Sequence, residues 1–131
     1  MKLTDENYVQ MAEKAMNELC AMRDKKTGEK IEPVTTSKIR NLLAMTASIY
    51  NDVVMSQSEK LSSEIVGRIN YMKIRFIYEA GREPRVGDLV KKACLLDHIS
   101  EIGNSRSQYI LFSRYMEALV AYRKYSGIKD E

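Results

Sequence analysis

The sequence of 131 residues contains no tryptophan, one histidine, two cysteines and two prolines. Each scarcity narrows the chemistry. Cys20 and Cys94 stand alone, without a CxxC pairing, so neither a disulfide scaffold nor a zinc ribbon is written here. Cys94 and His98 sit four apart and make half of a metal site at most. The other half needs Cys20 or a carboxylate from elsewhere, and no second paired set is visible. Nothing marks an orienting third group for a Cys–His nucleophile. No GxxxxGK[ST] or GxGxxG loop exists to cradle a nucleotide. Glu79 with Glu83, and Asp97 with Glu101, read as surface acids beside basic neighbours. The expectation is a protein that is not an enzyme, with no metal and no cofactor. No apolar run approaches the roughly 18–20 residues that cross a bilayer. The opening MKLTDENYVQ lacks the apolar core of a signal peptide. A cytoplasmic protein with reduced thiols and no membrane partner is expected.

What is present suits a helical protein. Hydrophobic residues make up 44% and charged residues 30% of the chain, enough apolar material for one core in a single domain over residues 1–131. No strand-like alternation bounded by turns occurs. The expected fold is all-α, a compact antiparallel bundle of about five helices.

The helices are read from their stripes and caps. Helix one starts near Thr4, with Leu3 stapled to Tyr8, and runs on Ala12, Ala15, Met16, Leu19 and Met22 to about Arg23. Asp24 to Pro33 is a polar link with no regular element. Helix two starts at Thr35-Thr36-Ser37, and Ile39, Leu42, Leu43, Thr46, Ile49, Tyr50, Val53 and Val54 form its apolar face. Lys38 in its first turn opposes the helix dipole, which makes sense if an anion binds there. The bland alternative is a surface lysine. After a polar break, helix three ends at Gly81 in a left-handed cap, and Pro84 blocks its continuation. Helix four follows from about Val86, with Leu89, Val90, Ala93, Leu96 and Ile99 inward. Helix five spans Ser107 to Tyr125, and the tail Ile128 to Glu131 frays.

Helix three is the stretch around which the rest is expected to be organised. Leu61, Ile65, Ile69, Met72, Phe76 and Ala80 form its apolar face. Arg68, Tyr71, Arg75, Tyr78 and Arg82 form a nearly straight line on another. Lys60 to Lys92 holds eight basic residues against four acids, in a chain whose whole net charge is +3. A row of guanidiniums with phenol rings between them suits a phosphate backbone. The competing reading is a solvated cationic edge with two tyrosines packed on a neighbour. Met45 and Met55 are candidates for a contact surface, though methionine fills cores as readily.

Three blocks together carry a resemblance. They are Thr35-Thr36-Ser37-Lys38-Ile39-Arg40-Asn41-Leu42-Leu43, then Arg68 to Arg75 running on to Tyr78-Glu79-Ala80-Gly81-Arg82-Glu83, then Phe112 to Tyr122 closing with Gly127. In that order, in a chain opening LTDENYV, they resemble the small subunit of the type III-A CRISPR effector, the Csm-type complex. The resemblance implies a non-catalytic all-α subunit that assembles in several copies and lines the guide RNA–target RNA duplex. It implies as partners the guide RNA, the target RNA, the backbone and large subunits, and copies of itself. It places the family's basic positions at Lys38, Arg40, Lys73, Arg75, Arg82 and Arg114, with Arg68 beside them.

A subunit shared along any guide must not read bases. It grips phosphate and sugar, which carry no sequence information directly. Arg68, Arg75 and Arg82 recur every seven residues, about 10.5 Å per step on a helix. Tyr71 and Tyr78 are able to stack on splayed bases. The alternative class is a helical adaptor that binds only proteins.

Overall fold

The computed structural model describes residues 2–130. Six helices follow one another: α1 (Tyr8–Cys20), α2 (Thr36–Met55), α3 (Ser63–Arg82), α4 (Pro84–Lys92), α5 (Leu95–Ile102) and α6 (Arg106–Tyr125). No named strand occurs among the described residues, only isolated bridges at Arg23–Lys30 and Lys60–Ser105. The all-α expectation holds, with six helices in place of about five.

Serine and threonine hydroxyls start the three long helices. Thr35, Ser62 and Ser105 each accept a hydrogen bond from a backbone N–H three residues on, which satisfies a donor the helix itself leaves free. The approach to α1 is longer than the sequence suggested. Thr4 and Asn7 exchange side-chain hydrogen bonds at 2.8 and 3.2 Å across a preceding turn, so the helix proper begins at Tyr8. The 24–30 link is also tighter than expected. Asp24 Oδ1 accepts from the N–H groups of Lys26 and Thr27, and Gly28 supplies the left-handed residue that closes the turn.

The sixth helix arises at Cys94. The expected fourth helix breaks there into α4 and α5, because Cys94 adopts the left-handed conformation at φ 54°. That conformation is strained for a non-glycine residue, and nothing in its side chain announces it. Gly81 behaves in the opposite way. It lies inside α3, and the chain turns instead at Glu83, which is extended before Pro84 as the proline ring demands. Pro84 then opens α4 at a position that needs no N–H. Gly87 lets α4 press on α3, since a Cβ there would sit 2.9 Å from the Ala80 carbonyl oxygen.

The centre of the molecule is α6, not α3. It packs mainly on α2 and α1, and also on α5. Its buried residues include Tyr109, Phe112, Tyr115, Met116 and Leu119. Tyr109 Oη donates to the Thr46 carbonyl at 2.6 Å, and Tyr115 Oη to that of Ala93 at 2.8 Å. Burial raises both phenols above the ordinary tyrosine value, so they stay neutral donors. The α3 stripe of Ile69, Met72 and Phe76 is buried as expected, and Phe76 meets Phe112 at 6.3 Å between ring centroids. This fixes the inner face of α3 and leaves its outer face to solvent.

The tail is not frayed through residue 130; Glu131 lies outside the described residues. Arg123, 1% exposed, donates to the carbonyls of Val34, Ile128 and Lys129 at 2.7, 2.9 and 3.2 Å. Five guanidinium donors in a rigid fork suit this task. They tie 128–130 to α6 and to the approach of α2.

Candidate nucleic-acid interface

Four of the seven basic candidates converge on the α2–α3 face. Lys38 stands in the first turn of α2 and pairs with Glu83 at the α3–α4 corner. Arg82 joins it in lining a cleft of about 210 Å³ with Asn41, Glu79 and Glu83. A second, larger groove of about 500 Å³ runs between α2 and α3. Met45, Ile49 and Met72 give it an apolar lining, while Arg68, Tyr71 and Arg75 also border it.

The guanidiniums do not form an open strip. Arg68 Nη1 lies 2.5 Å from Asp52 Oδ2, and its Nη2 donates to the Ser48 carbonyl at 2.9 Å. Arg82 and Arg75 flank one carboxylate, Glu79, at 3.1 and 4.0 Å. The Glu79 side chain is only 9% exposed, whereas the arginine side chains are about half exposed. Three arginines of the row therefore share two acids. Arg75 also lies over the Tyr78 ring, 5.9 Å from its centroid, a cation–π distance.

The other three candidates stand elsewhere or alone. Lys73 Nζ donates to Ser100 Oγ at 2.6 Å, towards α5. Arg114 on α6 faces Asp5 of the N-terminal segment at 4.0 Å and borders neither groove. Arg40 is exposed on α2, with no ion pair or hydrogen bond from its side chain to any described residue. The geometry thus gathers Lys38, Arg68, Arg75 and Arg82 on one face, adds Arg40 on the same helix as Lys38, and separates Lys73 and Arg114.

The anion that the first turn of α2 calls for is present in the fold itself. Thr36 N–H donates to Asp130 Oδ1 at 2.8 Å. That hydrogen bond, then the Thr36 hydroxyl and the more distant Arg123 charge, lower the Asp130 carboxyl below its ordinary value.

Two features went unread in the sequence. The outer face of α3 is apolar as well as basic: Tyr71, Ile74, Ile77 and Tyr78 are 63%, 60%, 48% and 58% exposed. Ile74 and Ile77 fall between the two predicted rows, where periodicity assigns them to neither. The Glu79 clamp was visible in principle, since Glu79 is four residues from Arg75 and three from Arg82. Its burial was not.

Cys94 and His98 do not make a metal site together with a third ligand. Cys94 is exposed. His98 is buried, with Nδ1 3.0 Å from Glu101 Oε1 and its ring edge-on to Tyr115. Among the described residues, no three His, Cys, Asp or Glu side chains group so as to hold a metal ion. No described helix is long and apolar enough to cross a membrane.

Comparison with known proteins extends the picture. The family model described as Csm2 Type III-A matches residues 13–129. The chain is similar to a protein of Streptococcus thermophilus named CRISPR system Cms protein Csm2, 41% identical over 128 residues that cover 98% of each chain. A protein of the same name from Mycobacterium tuberculosis H37Rv is 35% identical over 131 residues, the full length of both. One from Enterococcus italicus is 35% identical over 100 residues, 74% of this chain and 71% of that one.

Proposed function

The chain belongs to the Csm2 type III-A family, and from that premise we propose that it is a non-catalytic, RNA-binding small subunit of a type III-A CRISPR effector. It lines the guide RNA–target RNA duplex through contacts to phosphate and sugar. It assembles in several copies beside the backbone and large subunits, as a single helical domain over residues 1–131. The observation that carries this reading is the convergence of Lys38, Arg68, Arg75 and Arg82 on the α2–α3 face, with Arg40 unpaired beside Lys38.

Their ion pairs are compatible with the role. An exposed pair contributes only about 0–1 kcal/mol. A phosphate can therefore replace Asp52 on Arg68 at little cost. Arg75 and Arg82 hold Glu79 with one side of each guanidinium and keep further N–H groups for a ligand. None of these side chains needs a base edge, which suits a subunit that serves any guide.

The exposed Ile74 and Ile77 favour a second reading, a helical adaptor that touches only proteins. In the effector both readings hold at once if α3 divides its outer face between RNA and a neighbouring subunit. Binding of two RNA duplexes of equal length and unrelated sequence tests the proposal. Equal affinities are expected. No binding to either at low salt leaves the adaptor.

A further inference from the structure

The segment 127–130 does more than close the fold. After the turn at Gly127, with φ 75°, it crosses the buried Arg123 guanidinium. Three carbonyls, of Val34, Ile128 and Lys129, accept from that guanidinium. Asp130 Oδ1 then stands 3.1 Å from Arg123 Nη2 and accepts from Thr36 N–H at 2.8 Å. One carboxylate oxygen is thus held between a buried cation and the positive end of a 20-residue helix. That is the set of donors a phosphate oxygen would use. Thr36 is itself buried, and its Oγ1 makes no hydrogen bond of good geometry, yet its hydroxyl also lowers the Asp130 carboxyl, so a second donor of the same residue is directed at this oxygen.

The carboxylate is not sealed in. Asp130 is exposed, and if its side chain alone turns away, Arg123 retains the Val34 carbonyl and, within the segment, those of Ile128 and Lys129. The side chain can leave without stranding the buried charge. Lys38 lies in the same first turn, two residues beyond Thr36, and the unpaired Arg40 follows one turn on.

We propose that Asp130 is a built-in stand-in for phosphate, a strap that occupies an anion site at the start of α2 and yields it when RNA binds. This rests on the RNA reading above and adds its regulation. The strap lowers the affinity of the free subunit for stray polyanions and adds one phosphate contact once it is displaced. The alternative is a purely structural latch, in which Asp130 holds the first turn of α2 in place for binding. The two ideas predict opposite signs.

The test compares Asp130→Ala with Glu32→Ala, which removes an acid near the same helix end that makes no bond to its backbone. Kd for a mixed-sequence RNA duplex is measured at fixed salt. A displaceable strap predicts that Asp130→Ala tightens binding roughly two- to fivefold, beyond any change in Glu32→Ala. Equal effects of the two variants, or weaker binding in Asp130→Ala, overturn the proposal. Should Asp130→Ala fail to fold, Asp130→Asn keeps the shape without the charge and is judged by the same rule. Inorganic phosphate, titrated while the Thr36 amide is followed by NMR, separates the two levels. A Thr36 shift that appears at lower phosphate in the variant supports the strap even if the RNA reading fails. No difference in either assay removes it.

Discussion

Arg82 Nη2 lies 3.1 Å from Glu79 Oε1, while Arg75 approaches the other oxygen of that carboxylate at 4.0 Å. Two half-exposed guanidiniums thereby compensate one nearly buried acid. The arginines proposed to meet RNA also keep Glu79 in place, and their two roles must be separated before a binding defect is interpreted.

Reversing both charges, as Arg75→Glu with Arg82→Glu, crowds three carboxylates on adjacent turns of α3. Stability falls, on the order of 2 kcal/mol, below the usual cost of an orphaned buried charge because the partners are half exposed. Adding Glu79→Gln to the neutral pair Arg75→Gln/Arg82→Gln restores most of the loss. Urea midpoints of the parent, the charge-reversed pair, the neutral pair and the triple variant check this. If the double charge reversal is as stable as the parent, Glu79 does not depend on the two arginines.

Cys94 holds φ 54° with an exposed side chain that makes no capping hydrogen bond to α5. Cys94→Gly should stabilise the fold by on the order of 1 kcal/mol, because glycine adopts that conformation without the clash with Cβ. Thermal melts should move upward. A lower melting temperature would mean that the thiol packs more productively than its exposure indicates.

Gly87→Ala should have the opposite effect. Its Cβ would meet the Ala80 backbone oxygen at 2.9 Å, and backbone yields less readily than a flexible side chain. Overpacking of this kind costs roughly 1–3 kcal/mol. The same substitution at Gly67, where a Cβ meets nothing within 4 Å, is the control and should be neutral or mildly stabilising on a helix.

Glu59 gives a pH signature. Hydrogen bonds from Ser105 and Ser107, side chain and backbone, hold its carboxyl below the ordinary glutamate value. A carboxyl lowered in the folded state stabilises fully above its unfolded pKa, about 4.3, and loses that contribution as pH falls through the folded value. Glu59→Gln should therefore differ most from the parent at neutral pH, and the two stabilities should converge below about pH 4. A constant gap across the range would remove Glu59 from the acid response.

The pattern of what the sequence disclosed follows from these residues. Helices α1, α2, α3 and α6 were legible because Ile39, Ile69, Met72, Phe76 and Leu119 recur at helical spacing and Thr35 and Ser105 stand where caps belong. The break at Cys94 was not, because a left-handed cysteine carries no compositional mark, whereas Gly81, which carries one, stays helical in the last turn of α3. The central place of α6 escaped notice since its aromatic residues surround the helix more widely than one stripe. The basic residues of the site were legible as a row. Their pairing with Asp52, Glu79 and Glu83 depends on how the helices meet in space, and the role of Arg123 depends on a tail that composition alone marks as loose.

The most direct measurement is the salt dependence of RNA binding for the parent and for Arg68→Gln/Arg75→Gln, which leaves Arg82 on Glu79. Log Kd is followed against log salt with one RNA duplex. For every phosphate no longer neutralised, the slope should flatten by about 0.7–0.9. The account predicts weaker binding and a slope shallower by about 1.5 in the double variant, with helicity unchanged. An identical slope and affinity would contradict it and leave the α2–α3 face to protein partners alone.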